Sequence, residues 1–206
     1  MNNHKARIAV FVSGGGTNLQ ALIDAQNNGI IHSGKIELVI SNNTNAYALT
    51  RAKNAGIDGV CVSKKDCIDQ EDFENKLKEV LADYKIDLII LAGFMSILSE
   101  NFTKAYPKRI INVHPSLIPS FCGKGFYGLR VHEAALDYGV KVTGATVHFV
   151  NEVPDGGEII MQKSVKILEK DTPKTLQKRV MKLAEWKILP LSAEKVCNEI
   201  VNNTKE

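Results

Sequence analysis

The segment Asp87-Leu88-Ile89-Ile90-Leu91-Ala92-Gly93 is apolar without interruption between an acidic entry and a glycine exit. It is far shorter than a membrane span and has no polar alternate positions, so it suits a strand buried on both faces. Such strands occur where helices cover both sides of a parallel sheet. The surrounding pattern agrees. Residues 7–12 read as a strand, followed by a glycine loop and a helix with Leu19, Leu22, Ile23 and Ile30 on one face. A strand near 36–40, a helix near 46–55 and a short strand near Val60 come next. An amphipathic helix then carries Phe73, Leu77, Val80, Leu81 and Tyr84, and a further strand is expected over 109–113. Alternating β and α units of this kind predict a Rossmann-like, doubly wound α/β sheet, mostly parallel, with right-handed crossovers.

The last third of the chain changes character. After a helix near 131–138, two longer β segments at 141–150 and 158–168 are joined by Pro154-Asp155-Gly156-Gly157. That link is short enough for a hairpin, which adds a late antiparallel portion and brings the sheet to about seven strands. Thr172 is positioned as an N-cap with Pro173 at the first helical position, and Pro190 is expected to bend or break the helix that follows. No repeat or linker divides the chain. One domain over residues 1–206 is expected, with 1–100 forming the phosphoribosyl side, 101–201 the catalytic and folate side, and 202–206 a frayed tail.

Composition removes several alternatives. A net charge of +3 is too small to indicate a polyanion partner. No apolar run approaches a membrane span, and the N-terminus lacks the apolar core of a signal peptide, so a cytoplasmic protein is expected. Cys61, Cys67, Cys122 and Cys197 form no CxxC pair and the five histidines form no HxH or HxxxH cluster, so no metal site is expected.

Three segments carry candidate chemistry. Ser13-Gly14-Gly15-Gly16-Thr17-Asn18 follows the first strand and opens a helix, which aims backbone N–H groups and the helix dipole at one point and suits a phosphate. A Walker ending is absent, and Leu19 replaces the third glycine of a dinucleotide fingerprint, so a terminal phosphate fits better than a pyrophosphate. In Ile111-Asn112-Val113-His114-Pro115, strand alternation sends Asn112 and His114 to the same side, a donor beside a titratable group where the chain leaves the sheet. Gly93–Leu98 leaves the buried strand and offers backbone groups with Met95, Ile97 and Leu98 for a planar heterocycle. In an open α/β sheet all three converge beyond the strands' carboxyl ends.

With these residues assembled, the chain resembles the phosphoribosylglycinamide formyltransferases. The likeness runs collinearly from Arg7 to the helix carrying Glu185, through SGGGTNLQ, LAGFMSIL, INVHPSLIPSF, TGATVHFV, PDGGEIIMQ and RVMKLAEWKILP. The resemblance implies a catalytic trio of Asn112, His114 and Asp155. It implies phosphoribosylglycinamide contacts at Gly16, Thr17, Asn18 and Glu185, and folate contacts at Met95, Ser96, Ile97, Leu98 and Asn112. Gln70, counted with the folate contacts, stands where many members carry Arg or Lys, and this removes one cationic contact. His148 matches a nearby histidine of the family and is left outside the trio.

The activity implied is formyl transfer from the co-substrate 10-formyltetrahydrofolate to the amine of phosphoribosylglycinamide, without a metal. Asn112 and a protonated His114 would stabilise the alkoxide, with Asp155 favouring the charged imidazole. The expected partners are small molecules, with no nucleic acid and no membrane, and the chain is monomeric or homodimeric. The alternatives are a formyltetrahydrofolate hydrolase or another formyltransferase on the same core and, more remotely, a nucleotide-binding regulatory module. Residues 122–128 contain three glycines suited to a lid, and Ile118-Pro119 is open to either isomer.

Overall fold

A computed structural model of the chain describes residues 4–203. The elements are β1 (Ala6–Val12), α1 (Thr17–Asn27), β2 (Gly34–Ser41), α2 (Tyr47–Asn54), β3 (Asp58–Cys61), α3 (Gln70–Asp83), β4 (Leu88–Leu91), α4 (Glu100–Ala105) and β5 (Ile110–His114). They continue with α5 (Leu129–Tyr138), β6 (Val142–Phe149), β7 (Ile159–Lys166), α6 (Pro173–Val180), a π-helical turn (Met181–Glu185) and α7 (Trp186–Asn203). The seven strands form one sheet in the order β3-β2-β1-β4-β5-β6-β7. The first four pairings along it are parallel. β6 runs antiparallel to β5 and to β7, as the short Pro154–Gly157 link requires.

Each face of the sheet buries its own core. On one, Ile8, Val10, Ile90, Ile111, Val113 and Val147 pack against the inner sides of α1, α6 and α7. On the other, Phe11, Ile89, Leu91 and Ile110 pack against Phe73 and Leu77 of α3 and Phe102 of α4. β1 and β4 are covered on both sides, which is why they read as unbroken apolar runs. The register of β1 on β2 slips by one residue between Ile8 and Ala9, so the partners jump from Ile36 to Leu38. Ile36 and Leu38 thereby enter opposite cores despite the two-residue spacing.

Several expectations shift. α1 ends at Asn27, so Ile30 lies beyond the helix and is 45% exposed. Tyr84 caps α3 instead of continuing it. Thr172 caps α6 through a reciprocal capping box with Thr175. Pro190 does not end its helix: it sits within α7, and the departure from α geometry is the π-helical turn upstream. α7 starts afresh at Trp186, so Pro190 falls close to its start, where few N–H groups have intrahelical acceptors and its missing donor is least costly. Asn202 and Asn203 are helical rather than frayed, and residues 204–206 of the expected tail lie outside the described residues. Ile118-Pro119 is cis. No helix among the described residues is long and apolar enough to cross a membrane.

Candidate active site

Strand parity builds the centre of the site. Ile111 and Val113 enter the core shared with α1 and α7, so Asn112 and His114 project from the other face. On β6 the same alternation sends Ala145 and Val147 inward and leaves Thr146 and His148 facing the opposite way. Register places His148 across from Asn112, and Thr146 across from His114. The link after β6 then returns Asp155 over this row.

Asp155 Oδ2 lies 3.4 Å from His114 Nδ1, and Oδ1 lies 3.5 Å from His148 Nε2. Asp155 is one of four non-glycine residues with positive φ, at 56°, a conformation that Asp tolerates better than most residues. The following glycines are required sterically: a Cβ on Gly157 would fall 1.8 Å from the Phe149 carbonyl oxygen. The segment between β5 and α5 contributes the remaining support, since the Gly123 N–H donates to Asp155 Oδ2 at 2.8 Å.

Hydrogen-bond partners assign the imidazole protons. His114 Nε2 lies 2.9 Å from the Phe121 carbonyl, and His148 Nδ1 lies 2.8 Å from that of Phe149. A carbonyl only accepts, so these nitrogens carry the hydrogens and the opposite ring nitrogens are left to accept. His148 Nε2 accepts from the Asn112 amide at 3.2 Å. His114 Nδ1 presents its lone pair toward the Asp155 carboxylate. Both open nitrogens thus converge on one carboxylate, a constellation ready to take up a proton.

Burial sets the resting charge. Desolvation pulls His114 below the usual histidine range, and the opposing pull of Asp155 and of the Phe121 carbonyl does not cancel it. The expectation of a protonated His114 is therefore corrected to a neutral one at pH 7 in the free protein. For Asp155, burial alone would raise the pKa. The hydrogen bond from His148, the charge of His114 and the Gly123 N–H outweigh it, so the carboxylate stays below its ordinary value.

The other predicted segments converge as expected. The Met95 N–H donates to Ser13 Oγ at 2.8 Å, and Asn42 Nδ2 donates to Ser96 Oγ at 2.8 Å, which ties the β4 exit to the glycine loop and to the β2 exit. A cleft of about 140 Å³ opens between the β4 exit and the Val150–Asp155 link, floored by Asn112 and His148. Phe94, Ser96, Ile97 and Leu98 line it, whereas Met95 does not, a correction to the expected wall. Phe94 is fixed there edge-on against Phe11, with ring centroids 5.1 Å apart. A larger hollow of about 360 Å³ lies at the start of β5 and the end of α7, lined by Lys108, Glu158 and Glu199. Lys108 and Glu158 form an ion pair there, and none of the acid–base cluster reaches it.

Gln70 does not line the cleft. Its Oε1 accepts from Lys64 Nζ at 2.6 Å, and its Nε2 donates to Glu74 Oε1 at 2.5 Å and to the Ile97 carbonyl at 3.1 Å. Glu74, 3% exposed, also accepts from the Ser99 N–H at 2.6 Å and from the Ser99 hydroxyl at 2.5 Å. This buried network clamps both ends of the Ile97–Ser99 turn to α3. Gln70 thus braces the wall, and side-chain direction, which sequence spacing does not report, explains the misplacement.

At the glycine loop, Gly16 is the N-cap of α1 with φ 70°, and no side chain caps the helix. A Cβ on Gly16 would fall 2.7 Å from that of Ala48, while one on Gly14 or Gly15 would meet nothing within 4 Å. Thr17 opens α1, and Asn18 Nδ2 donates to Glu185 Oε2 at 2.8 Å, joining α1 to the π-helical turn. Glu185 is buried, and desolvation pushes its carboxyl up to about 7 against that hydrogen bond. Asn18 Oδ1 is buried without a partner.

Fold and site together define a doubly wound α/β enzyme with an acid–base cluster at the sheet's carboxyl edge beside an uncapped glycine loop. Residues 6–192 match the formyl transferase family, and the chain belongs to that family. It is 40% identical over 185 residues to the phosphoribosylglycinamide formyltransferase of Haemophilus influenzae, a match covering 90% of this chain and 84% of that protein. It is 44% identical over 197 residues to the human trifunctional purine biosynthetic protein adenosine-3, where 96% of this chain spans 19% of the longer protein. The crystal structure of glycinamide ribonucleotide transformylase 1 from Symbiobacterium toebii superposes with a TM-score of 0.89 at 39% identity, covering 97% of this chain and 90% of that one.

His148 is the residue that sequence reasoning left aside. The signal was present in TGATVHFV, where apolar Ala145 and Val147 alternate with polar Thr146 and His148.

Proposed function

We propose that this chain transfers the formyl group of 10-formyltetrahydrofolate to the primary amine of phosphoribosylglycinamide, releasing tetrahydrofolate and the N-formyl product of purine biosynthesis. The observation that carries the reading is the convergence of two open imidazole nitrogens and a carboxamide on Asp155, at the floor of a cleft bounded by the β4 exit. The cleft's apolar lining by Leu91, Phe94, Ile97, Leu98 and Val150 fits a planar heterocycle. The glycine loop, Thr17, Asn18 and Glu185 fit the phosphoribosyl end of the amine.

In this reading the nucleophile is the substrate's own nitrogen. Its bond to the formyl carbon forms as the bond from that carbon to the folate nitrogen breaks, and one proton passes from the first nitrogen to the second. The Asn112 amide donates to the alkoxide between these events. His114 Nδ1 takes the proton, Asp155 holds the imidazolium, and the proton is returned to the leaving nitrogen. His148, bonded to Asn112, orients the carboxamide and shares the carboxylate.

The two ligands do not divide at residue 100. The phosphoribosyl side draws on α1 and on Glu185, and the folate side on the β4 exit and β5. Cytoplasmic location, a monomeric or homodimeric state and the absence of nucleic-acid partners belong to the same proposal. A thermal-shift series tests it. A folate analogue and phosphoribosylglycinamide should each raise the melting temperature, and NAD and tRNA should not. Stabilisation by NAD and by neither expected ligand would refute it.

A further inference from the structure

The glycine loop is held from behind by α2. The Gly14 carbonyl accepts from the Ala48 N–H at 3.1 Å, and the Gly15 carbonyl accepts from Arg51 Nε at 2.8 Å. In a trans peptide the N–H points opposite to the C=O. The Gly15 and Gly16 N–H groups therefore face away from α2, toward the side on which the loop is open. Arg51 is itself fixed, with Nη1 donating to Gln20 Oε1 at 2.9 Å and its guanidinium over the Tyr47 ring at 5.0 Å from the centroid. The orphaned Asn18 Oδ1, buried in the next turn, is an independent sign of a missing polar ligand.

Charge makes the arrangement consequential. A phosphate monoester carries close to two negative charges, and the end of a helix offers roughly half a positive one. Arg51 places a full positive charge one peptide away. By donating to the Gly15 carbonyl it also polarises the peptide whose other end is the Gly16 N–H, which strengthens that donor.

We infer that Arg51 is a positioning residue of the phosphate cradle, acting through the Gly15–Gly16 peptide to set the preference for a phosphorylated over a dephosphorylated amine. The inference rests on the phosphoribosyl reading above.

The test is steady-state kinetics of the full chain with phosphoribosylglycinamide and with its dephosphorylated ribosyl counterpart. Arg51→Met should raise KM for the phosphorylated amine about tenfold, the loss of one charge-assisted hydrogen bond. It should leave kcat, KM for the formyl donor and KM for the dephosphorylated amine unchanged. Arg51→Lys, which keeps the charge, should recover part of the preference. Arg51→Gln, which keeps a donor without charge, should recover less, and these two variants serve if the methionine variant does not fold. If the wild type prefers the phosphorylated amine and the folded variants keep that preference in full, Arg51 is a packing residue and the inference is overturned. If the wild type itself shows no preference, the phosphate reading fails first.

Discussion

Asp155 gathers more of the site's constraints than any other residue. It holds a left-handed backbone, which costs most L-residues about 1–2 kcal/mol, and does so over a glycine pair whose carbonyl contact admits no side chain. Asn tolerates the same backbone region, so Asp155→Asn removes the charge without adding strain. Its melting temperature should stay close to wild type while kcat falls about 10²- to 10³-fold, with ligand binding much less affected. His114→Ala should show a similar loss of turnover, and near-normal turnover in either variant would remove that residue from the mechanism. Glu185 shows the opposite balance. Its folded pKa of about 7 exceeds the ordinary 4.5, so the folded state holds its proton more tightly than the unfolded chain does. Its contribution is full below pH 4.5 and is lost as pH rises toward 7. At pH 8 Glu185→Gln should therefore be more stable than wild type, by on the order of 3 kcal/mol, yet should raise KM for phosphoribosylglycinamide. Equal denaturation midpoints at pH 8 would show that the carboxyl is not desolvated in solution.

At the level of elements, side-chain parity was legible in the sequence and side-chain partnership was not. The two-residue spacing of Asn112 and His114 places both on one face, and β6 repeats the logic with Thr146 and His148. The glycine pair after Asp155 and the capping box at Thr172 are likewise readable from local chemistry. Gln70 is not readable in this way, because whether it faces a ligand or Glu74 depends on the long-range docking of α3 against the β4 exit. Nor is the neutral state of His114, which follows from desolvation by elements distant in sequence. Breaking the α3 brace should loosen the wall and leave the chemistry intact. Glu74→Ala is expected to lower stability by about 2–3 kcal/mol, since it leaves the Ser99 and Gln70 donors buried and unpaired, and to raise KM for the formyl donor more than it lowers kcat. Unchanged KM for the donor would mean the Ile97–Ser99 turn is not shaped by this network. The glycine loop divides in the same way. Gly16→Ala meets Ala48 at a positive φ and should destabilise the fold, whereas Gly15→Ala should fold normally and weaken phosphoribosyl binding alone, as separate melting and KM measurements would show.

Across the whole molecule, two apolar cores grip the sheet from opposite faces, and the polar cluster sits where the strands emerge between them. The element order and the late antiparallel strands follow from periodicity and from the short Pro154–Gly157 link. The slip at Ile8/Ala9 and the wide turn before α7 do not, because each is a one-residue adjustment with no compositional mark. Burial of this cluster also sets a pH limit on the fold. His132 on α5 is fully buried with neither ring nitrogen partnered, and desolvation together with nearby His114 lowers its pKa from 6.5 to about 4. The unfolded chain takes up this proton first, so stability is full above pH 6.5 and declines toward pH 4, by on the order of 2–3 kcal/mol from this group. His132→Gln should flatten that part of the stability profile, and an unchanged slope would assign the acid sensitivity elsewhere. The central claim is that a proton and a formyl group pass between two bound nitrogens without water as acceptor. Its most direct measurement is formyl-donor consumption by the purified chain with and without phosphoribosylglycinamide. Consumption strictly dependent on the amine and matched by N-formyl product is the predicted result, and donor loss at a comparable rate without the amine would contradict it.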